Sequence, residues 1–407
     1  MDPTGVTLLP IPTFAYHDYR YEVIFRAYKW DPQVYDTNTI SPYVALLDYK
    51  TAEQLERWTE QLFKETIRME EALLQNLSLA EELGLPQKAL KALTRIRNYD
   101  AKRHVRLMRF DFHPTDIGWA VSEVNSDVPG GLAEASILPG IAQKFFPETQ
   151  TGPDTNSILL EAFRVKVKPG GRIAFIHATS YADDRQVMQC LSDRFHEGGF
   201  DTLFAAPDHI EWRDGRAFSV IDEQEGLLDG IARFFPLEWL VHLPPKTKWE
   251  GYFDGKTPSC NHPIAMLSQS KRLPLIWDRL GVEVPIWKFL LPETIDPKTA
   301  VSDGDWLYKP ALGRVGEGIA FKGITPEKEW RRIQKAAHRQ PKDWIAQRGF
   351  HSYPLTAPDG QSRHLCVGVF AVDGRAAGFY GRAGRHPLIE ARAEDVPILI
   401  SKESGHG

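Results

Sequence analysis

Between residues 105 and 125 the side chains alternate, and this alternation restricts the fold more than any other stretch. Val105 to Phe112 reads as one strand, His113-Pro114-Thr115-Asp116-Ile117-Gly118 as a breaker-rich turn, and Trp119 to Asn125 as the return strand. Successive side chains of a strand point to opposite faces. Met108, Phe110 and Phe112 therefore share one face and Arg109 and Asp111 the other, while Glu123 and Asn125 share a face of the return strand. Such a ribbon has to lay its apolar side on a core. Its other side gathers an arginine, two carboxylates and a carboxamide. Hard oxygen donors of this kind suit Mg²⁺, which takes few protein ligands and fills its other positions with phosphate oxygens and water. An arginine beside them can neutralise charge on a phosphoryl group in transfer. Taken alone, the ribbon reads first as a solvated hairpin with a surface ion pair.

A second stretch, Lys309-Pro310-Ala311-Leu312-Gly313-Arg314-Val315-Gly316-Glu317-Gly318-Ile319, follows the expected strand Trp306 to Lys309. Three glycines in six residues let backbone N–H groups approach phosphates closely, and Lys309 can reach the same phosphates as a point charge. No GKS or GKT is present, so this is not a Walker A loop. By itself it is equally an ordinary glycine-rich turn. Lys271 and Arg382, taken singly, read as surface charges.

Elsewhere the pattern predicts mixed α and β structure. Residues 1–50 read as irregular packing segments with short strands. Thr51-Ala52-Glu53-Gln54 has the capping-box form, with Leu55, Trp58, Leu62, Met69 and Leu73 at helical spacing after it. Ser78 reads as a second cap, and Lys88 to Arg97 as a further helix. Ile173 to Ile176, Asp183 to Glu197 and Leu203 to Ala205 read as a β-α-β unit without a GxGxxG. Asp183, Asp184 and Arg185 read as helix-start charges. A helix is expected over Met266 to Leu280. Leu365 to Val372 and Arg375 to Tyr380 flank Asp373-Gly374, a type I′ hairpin turn, and the last seven residues read as frayed.

At 407 residues the chain is too long for one ordinary core and suits two or three subdomains. A formal net charge of −5 gives no bulk attraction to nucleic acid or an anionic membrane. No run of about 18 apolar residues occurs, so no spanning helix is expected, and no secretory leader is read at the N-terminus. Cys190, Cys260 and Cys366 lie far apart and offer no zinc spacing, which reads as three reduced thiols of a cytoplasmic protein.

The order RFDF, SEVNSDVPGG, SQSKRLPLIWDRL, YKPALGRVGEGI, WIAQ and GRAGRHPLI…VPILI resembles the synthetase domain of glutathionylspermidine synthase over roughly residues 100–407. The spacings R-x-D-x11-E-x-N and R-x6-I-x7-P match that family's pattern. The resemblance implies an α+β / α/β chain with a circularly permuted ATP-grasp fold and an inserted small α/β domain. Residues 1–150 would then carry the helical segment and metal-ligand hairpin, 151–250 the α/β substrate-side domain, and 251–407 the nucleotide-binding lobe. It further implies that Asp111, Glu123 and Asn125 bind Mg²⁺ and that Arg109 stabilises the transferring phosphoryl group. Lys271 and Lys309 would hold ATP phosphates, and the loop with Gly313, Arg314, Gly316 and Gly318 would close over them. Gln347 would line the adenine pocket, and Arg382 would reach phosphate or acyl phosphate. The implied reaction joins a small-molecule carboxylate, a peptide among the candidates, to an amine through an acyl phosphate. A homodimer fits this enzyme class, and no nucleic-acid or membrane partner is expected. The amidase domain of bifunctional members has no counterpart in these residues. His113 reads as a structural or solvent-facing histidine rather than as a base. Two other readings stay open: a decayed nucleotide-binding scaffold, and a small-molecule phosphotransferase.

Overall fold

The computed structural model describes residues 4–96, 99–301, 305–313, 316 and 318–403. Its central feature is a six-stranded antiparallel sheet built on the hairpin. Leu107–Thr115 lies between its return strand, Gly118–Asn125, and the C-terminal strand Ser362–Val372. Arg375–Gly384 and Glu394–Val396 continue the sheet on one side, and Pro354–Thr356 pairs with the start of Ser362–Val372. The hairpin runs further than its breakers suggested, because both strands stay paired through Thr115 and Gly118 and the turn closes on Asp116-Ile117. The Asp373-Gly374 turn forms as expected, both residues having positive φ.

One face of this sheet is apolar, as the alternation requires. Phe110, Phe112, Val367, Val369 and Phe379 are buried there with Leu55, Leu62, Phe63 and Met69 of the helix Tyr49–Gln75. Burying a side chain of this size stabilises by about 1.5–3 kcal/mol, so the helix and the sheet fold as one body. The helix start differs from the capping-box reading. Asp48, not Thr51, is the N-cap, and its carboxylate accepts the Thr51 N–H.

Residues 172–260 form a parallel four-stranded sheet in the order Ser259–Cys260, Gly230–Arg233, Arg172–Ile176, Asp201–Ala205. The helix Ala182–Glu197 connects the last two, as the β-α-β reading expected. A second four-stranded sheet, Thr294–Ile295, Trp344–Arg348, Trp306–Pro310 and Ala320–Phe321, is covered by the helix Glu327–Arg339 through Trp330, Ile333 and Ala337. A third joins Val6–Pro10, Tyr43–Leu47, Ile398–Ser401 and Thr149–Thr151, so Ser401 is held in a strand and not frayed.

Other local expectations are corrected. Residues 16–26 form a helix, buried only at Tyr19 and Val23, a face too narrow to register as periodic. Ser78 makes no side-chain cap, and the helix after it is short, Gln87–Leu93. The helix expected over 266–280 is only Ala265–Gln269, followed by 3₁₀ turns at Leu273–Leu275 and Trp277–Arg279. Pro274 disfavours helical backbone just before it. The Ser270 hydroxyl instead bonds the Leu83 carbonyl, at 2.5 Å. All three cysteines are free and buried. Among the described residues no helix is long and apolar enough to cross a membrane.

Candidate functional site

The polar face of the central sheet collects the hairpin's charged residues. Arg109 is paired across the strands with Asn125, and Asp111 with Glu123. The Arg109 guanidinium donates to both Asp111 oxygens, at 2.7 and 2.9 Å, and to the Gly130 carbonyl at 2.6 Å. It also lies over the Tyr380 ring, 5.1 Å from its centroid. Burial works against its charge, but Asp111 outweighs burial and keeps Arg109 protonated. Opposite Asp111 stands Gly368, whose added Cβ would lie 2.7 Å from Arg109 Cδ and 3.0 Å from Asp111 Oδ1. The missing side chain there is what lets the Arg–Asp pair lie flat on the sheet.

Asn125 Nδ2 donates to Asp111 at 2.9 Å and to Glu123 at 3.5 Å, which turns its carbonyl oxygen away from both. The hairpin thus presents two carboxylates and one carboxamide oxygen. Among the described residues no group of three histidine, cysteine or acidic side chains is placed to hold a metal ion. Two carboxylates and an amide oxygen fit Mg²⁺ completed by phosphate oxygens and water better than a closed all-protein cage.

Both lysines expected at the phosphates converge on this hairpin. Lys271 Nζ is 3.2 Å from Glu123 and donates to the Gly313 carbonyl at 2.8 Å. The Lys271 backbone N–H bonds Ala311, so the glycine loop is tied to this lysine twice. Lys309 Nζ donates to the Ser122 carbonyl at 3.1 Å. Ser122 sits at a β-bulge, where the register shifts between Asp111 and Phe112. Bulges re-aim the groups at their position, and here the shift turns a carbonyl toward Lys309. Burial pushes the Lys309 ammonium down to about 8, with Lys271 adding to the effect and Glu123 opposing it. Burial also opposes the Glu123 charge, but Lys271 and Lys309 prevail and hold it at about 2.

A cavity with about 410 Å³ of free space opens beside these groups, lined by Glu123, Lys271, Gln347, Trp277, Trp287 and Leu291 among others. Gln347 is 2% exposed. The Thr294 hydroxyl donates to the Pro292 carbonyl and so receives the Gln347 Nε2 hydrogen, at 3.0 Å each. This fixes the amide orientation and leaves Gln347 Oε1 buried with no partner among the described residues.

Arg382 lies on the same sheet face, paired across strands with Cys366. Its Nη2 is engaged by the carbonyls of Glu390, Ala391 and Ala393 at 2.7, 3.3 and 3.4 Å. It holds the 390–393 segment in this state. Gly316 fits closely against that region, since a Cβ on it would lie 2.6 Å from the Ile389 carbonyl. Gly318 packs on Pro310. Arg314 lies outside the described residues.

His113 faces the same side but reads as structural here too. Its Nε2 meets Ser122 Oγ at 3.0 Å, and burial, with Lys309 nearby, pulls its pKa down to about 3. Burial likewise lowers His104 to about 4 and His262 well below the usual value. A histidine depressed in the folded state stays neutral while the unfolded chain takes up protons. The contribution of these histidines should therefore be constant above pH 7 and fall as pH drops below about 6.5, by about 1.4 kcal/mol per site and pH unit. Urea unfolding between pH 7.5 and 4.5 measures this, and constant stability across that window would contradict it.

Sequence reasoning missed Ser122, Gln269 and the cavity aromatics Trp277 and Trp287. The bulge at Ser122 has no compositional mark, and the others are indistinguishable from core residues until the chain brings them beside Glu123.

Comparison with known proteins adds the family. A glutathione synthetase-like effector (GSS30) from Globodera pallida, solved in its apo form, shares the fold with a TM-score of 0.63 at 10% identity. The match covers 88% of this chain and 89% of that one. A putative gamma-glutamylcysteine synthetase from Methylobacillus flagellatus aligns at 13% identity over 83% of this chain and 88% of that one, with a TM-score of 0.46. None of the curated proteins matches. The family model described as glutathionylspermidine synthase preATP-grasp matches residues 16–401, nearly the whole chain, and the chain belongs to that family of synthetase-type ligases.

Proposed function

We propose that this chain is an ADP-forming, ATP-dependent carboxylate–amine ligase on a circularly permuted ATP-grasp frame. Residues 1–150 and 251–407 form the frame, and 151–250 an inserted α/β domain on the substrate side. The carrying observation is the convergence of Lys271 and Lys309 on the hairpin that holds Arg109, Asp111, Glu123 and Asn125, with Glu123 and Lys271 lining the adjoining cavity. Mg²⁺ held by Asp111, Glu123 and Asn125 would offset triphosphate charge. Lys271 and Lys309 would hold the phosphates.

In the first step a substrate carboxylate oxygen bonds to the γ-phosphorus and the bond to the ADP oxygen breaks, giving an acyl phosphate and ADP. In the second, the amine nitrogen bonds to the acyl carbon, phosphate leaves and the nitrogen loses a proton. The chain's own part is to align the reactants and to neutralise charge with Arg109. Neither step needs a serine or cysteine nucleophile, in keeping with three buried thiols. A small carboxylate or peptide and an amine are the substrates, and the cytoplasm is the compartment.

The test is nucleotide turnover with Mg-ATP and pooled peptides, amino acids and polyamines. ADP and phosphate released only in the presence of the pool support the reading. AMP and pyrophosphate overturn it.

Gln347 gives the site a preference among nucleotides. Its orphaned acceptor suits the adenine N6 amino group and opposes the guanine O6. ATP should bind at least tenfold tighter than GTP, since an unmatched buried acceptor costs about 1–3 kcal/mol. Gln347→Leu should narrow that preference, and equal affinities in the unmutated protein would remove Gln347 from the role.

A further inference from the structure

We infer that Gln269 contacts nucleotide phosphate through Nε2 while its Oε1 braces the metal-side hairpin, so that one side chain joins the two halves of the site; this rests on the nucleotide reading above. The orientation of its amide is determined by the backbone. The Ser126 and Asp127 N–H groups both donate to one amide atom of Gln269, each at 2.8 Å. Only the carbonyl oxygen can receive two donors, so that atom is Oε1 and the NH₂ group lies on the other side.

The two bonds place Gln269 directly behind the end of the hairpin. Ser126 and Asp127 follow Asn125, the last of the three oxygen donors, without a gap. Gln269 itself precedes Lys271 by two residues. A shift of the hairpin end relative to Lys271 would have to break both bonds.

The NH₂ group has no hydrogen-bond partner among the described residues. Gln269 is 7% exposed, yet it lines the cavity shared by Glu123, Lys271 and Gln347. Its Oε1 is spent on the backbone, so Nε2 is the polar atom it can offer there. Unlike Gln347 Oε1 it is not a buried orphan: it opens to the cavity, where a ligand oxygen can receive its hydrogens. The ligand oxygen in reach of a donor beside Lys271 is a phosphoryl oxygen. Neither residue type nor spacing marks Gln269 for this part, because the helix expected across 266–280 would have made it one more side chain of a continuous helix.

Two substitutions separate the roles. Gln269→Glu keeps an oxygen for both N–H donors but turns a second, anionic oxygen to the cavity. Gln269→Leu removes both functions. Calorimetric titration with Mg-ATP and thermal melts read them out. Gln269→Glu should keep the unmutated melting temperature and bind Mg-ATP at least about tenfold more weakly. Gln269→Leu should lose both affinity and melting temperature. Unchanged or tighter Mg-ATP binding by a folded Gln269→Glu would overturn the phosphate contact and point to a ribose hydroxyl, which would donate to the carboxylate. If the unmutated protein binds no Mg-ATP, the ligase reading fails; if it binds and Gln269→Glu binds as well, only this inference does.

Discussion

Asp111→Asn should lower ATP-dependent ligation by about a thousandfold or more while the chain stays folded. The carboxamide keeps the size of the side chain and can still accept from Arg109, which now donates to both Asp111 oxygens. What disappears is the negative charge. Three positive groups, Arg109, Lys271 and Lys309, would then face one carboxylate, Glu123, which Lys271 already engages. A divalent cation would keep one anionic ligand where it had two. Removing a single preorganised group aimed at transition-state charge commonly costs about 10²–10³ in rate, and weakened metal binding adds to that. Steady-state release of ADP, with far-ultraviolet circular dichroism as the folding control, measures the effect. Activity within tenfold of the unmutated protein would remove Asp111 from the metal role.

Asp127→Ala should destabilise the fold by about 3–5 kcal/mol, the usual cost of stranding a buried charge. The side chains of Asp127 and Arg233 are each 1% exposed and their charged atoms are 2.5 Å apart. The Asp127 carboxylate also accepts the Leu237 N–H at 2.9 Å. Arg233 donates further to the carbonyls of Phe235 and Asn261. The pair joins the end of the hairpin to the parallel sheet, and Asn261 Nδ2 adds bonds to the carbonyls of Leu107, Ser126 and Asp127. For a chain of this size the loss is roughly 5 °C in melting temperature. Asp127→Leu combined with Arg233→Met should recover much of it, because replacing a buried ion pair by apolar groups of similar volume is often neutral. If Asp127→Ala melts like the unmutated protein, the pair contributes only geometry.

The hairpin at 107–125 was legible because its information is local. Alternation assigns faces, and Arg109, Asp111, Glu123 and Asn125 needed no distant partner to be grouped. The Asp373-Gly374 turn and the β-α-β unit at 172–205 were legible for the same reason: positive φ and hydrophobic period are properties of a few consecutive residues. Lys271 was harder. In sequence it is one basic residue in a helical-looking stretch, and what identifies it is a 3.2 Å approach to Glu123, 148 positions away (271 − 123).

By itself, then, the sequence determined the hairpin, its two faces and the strand before the glycine loop. The tertiary structure alone decided that the 266–280 segment stops at Gln269, that the register shift at Ser122 turns its carbonyl to Lys309, and that Gln347 and Gln269 each turn one amide end to the cavity. The physical reason is common to all of these. Each depends on which distant backbone group satisfies a buried donor or acceptor, and that choice is made only when the two segments meet.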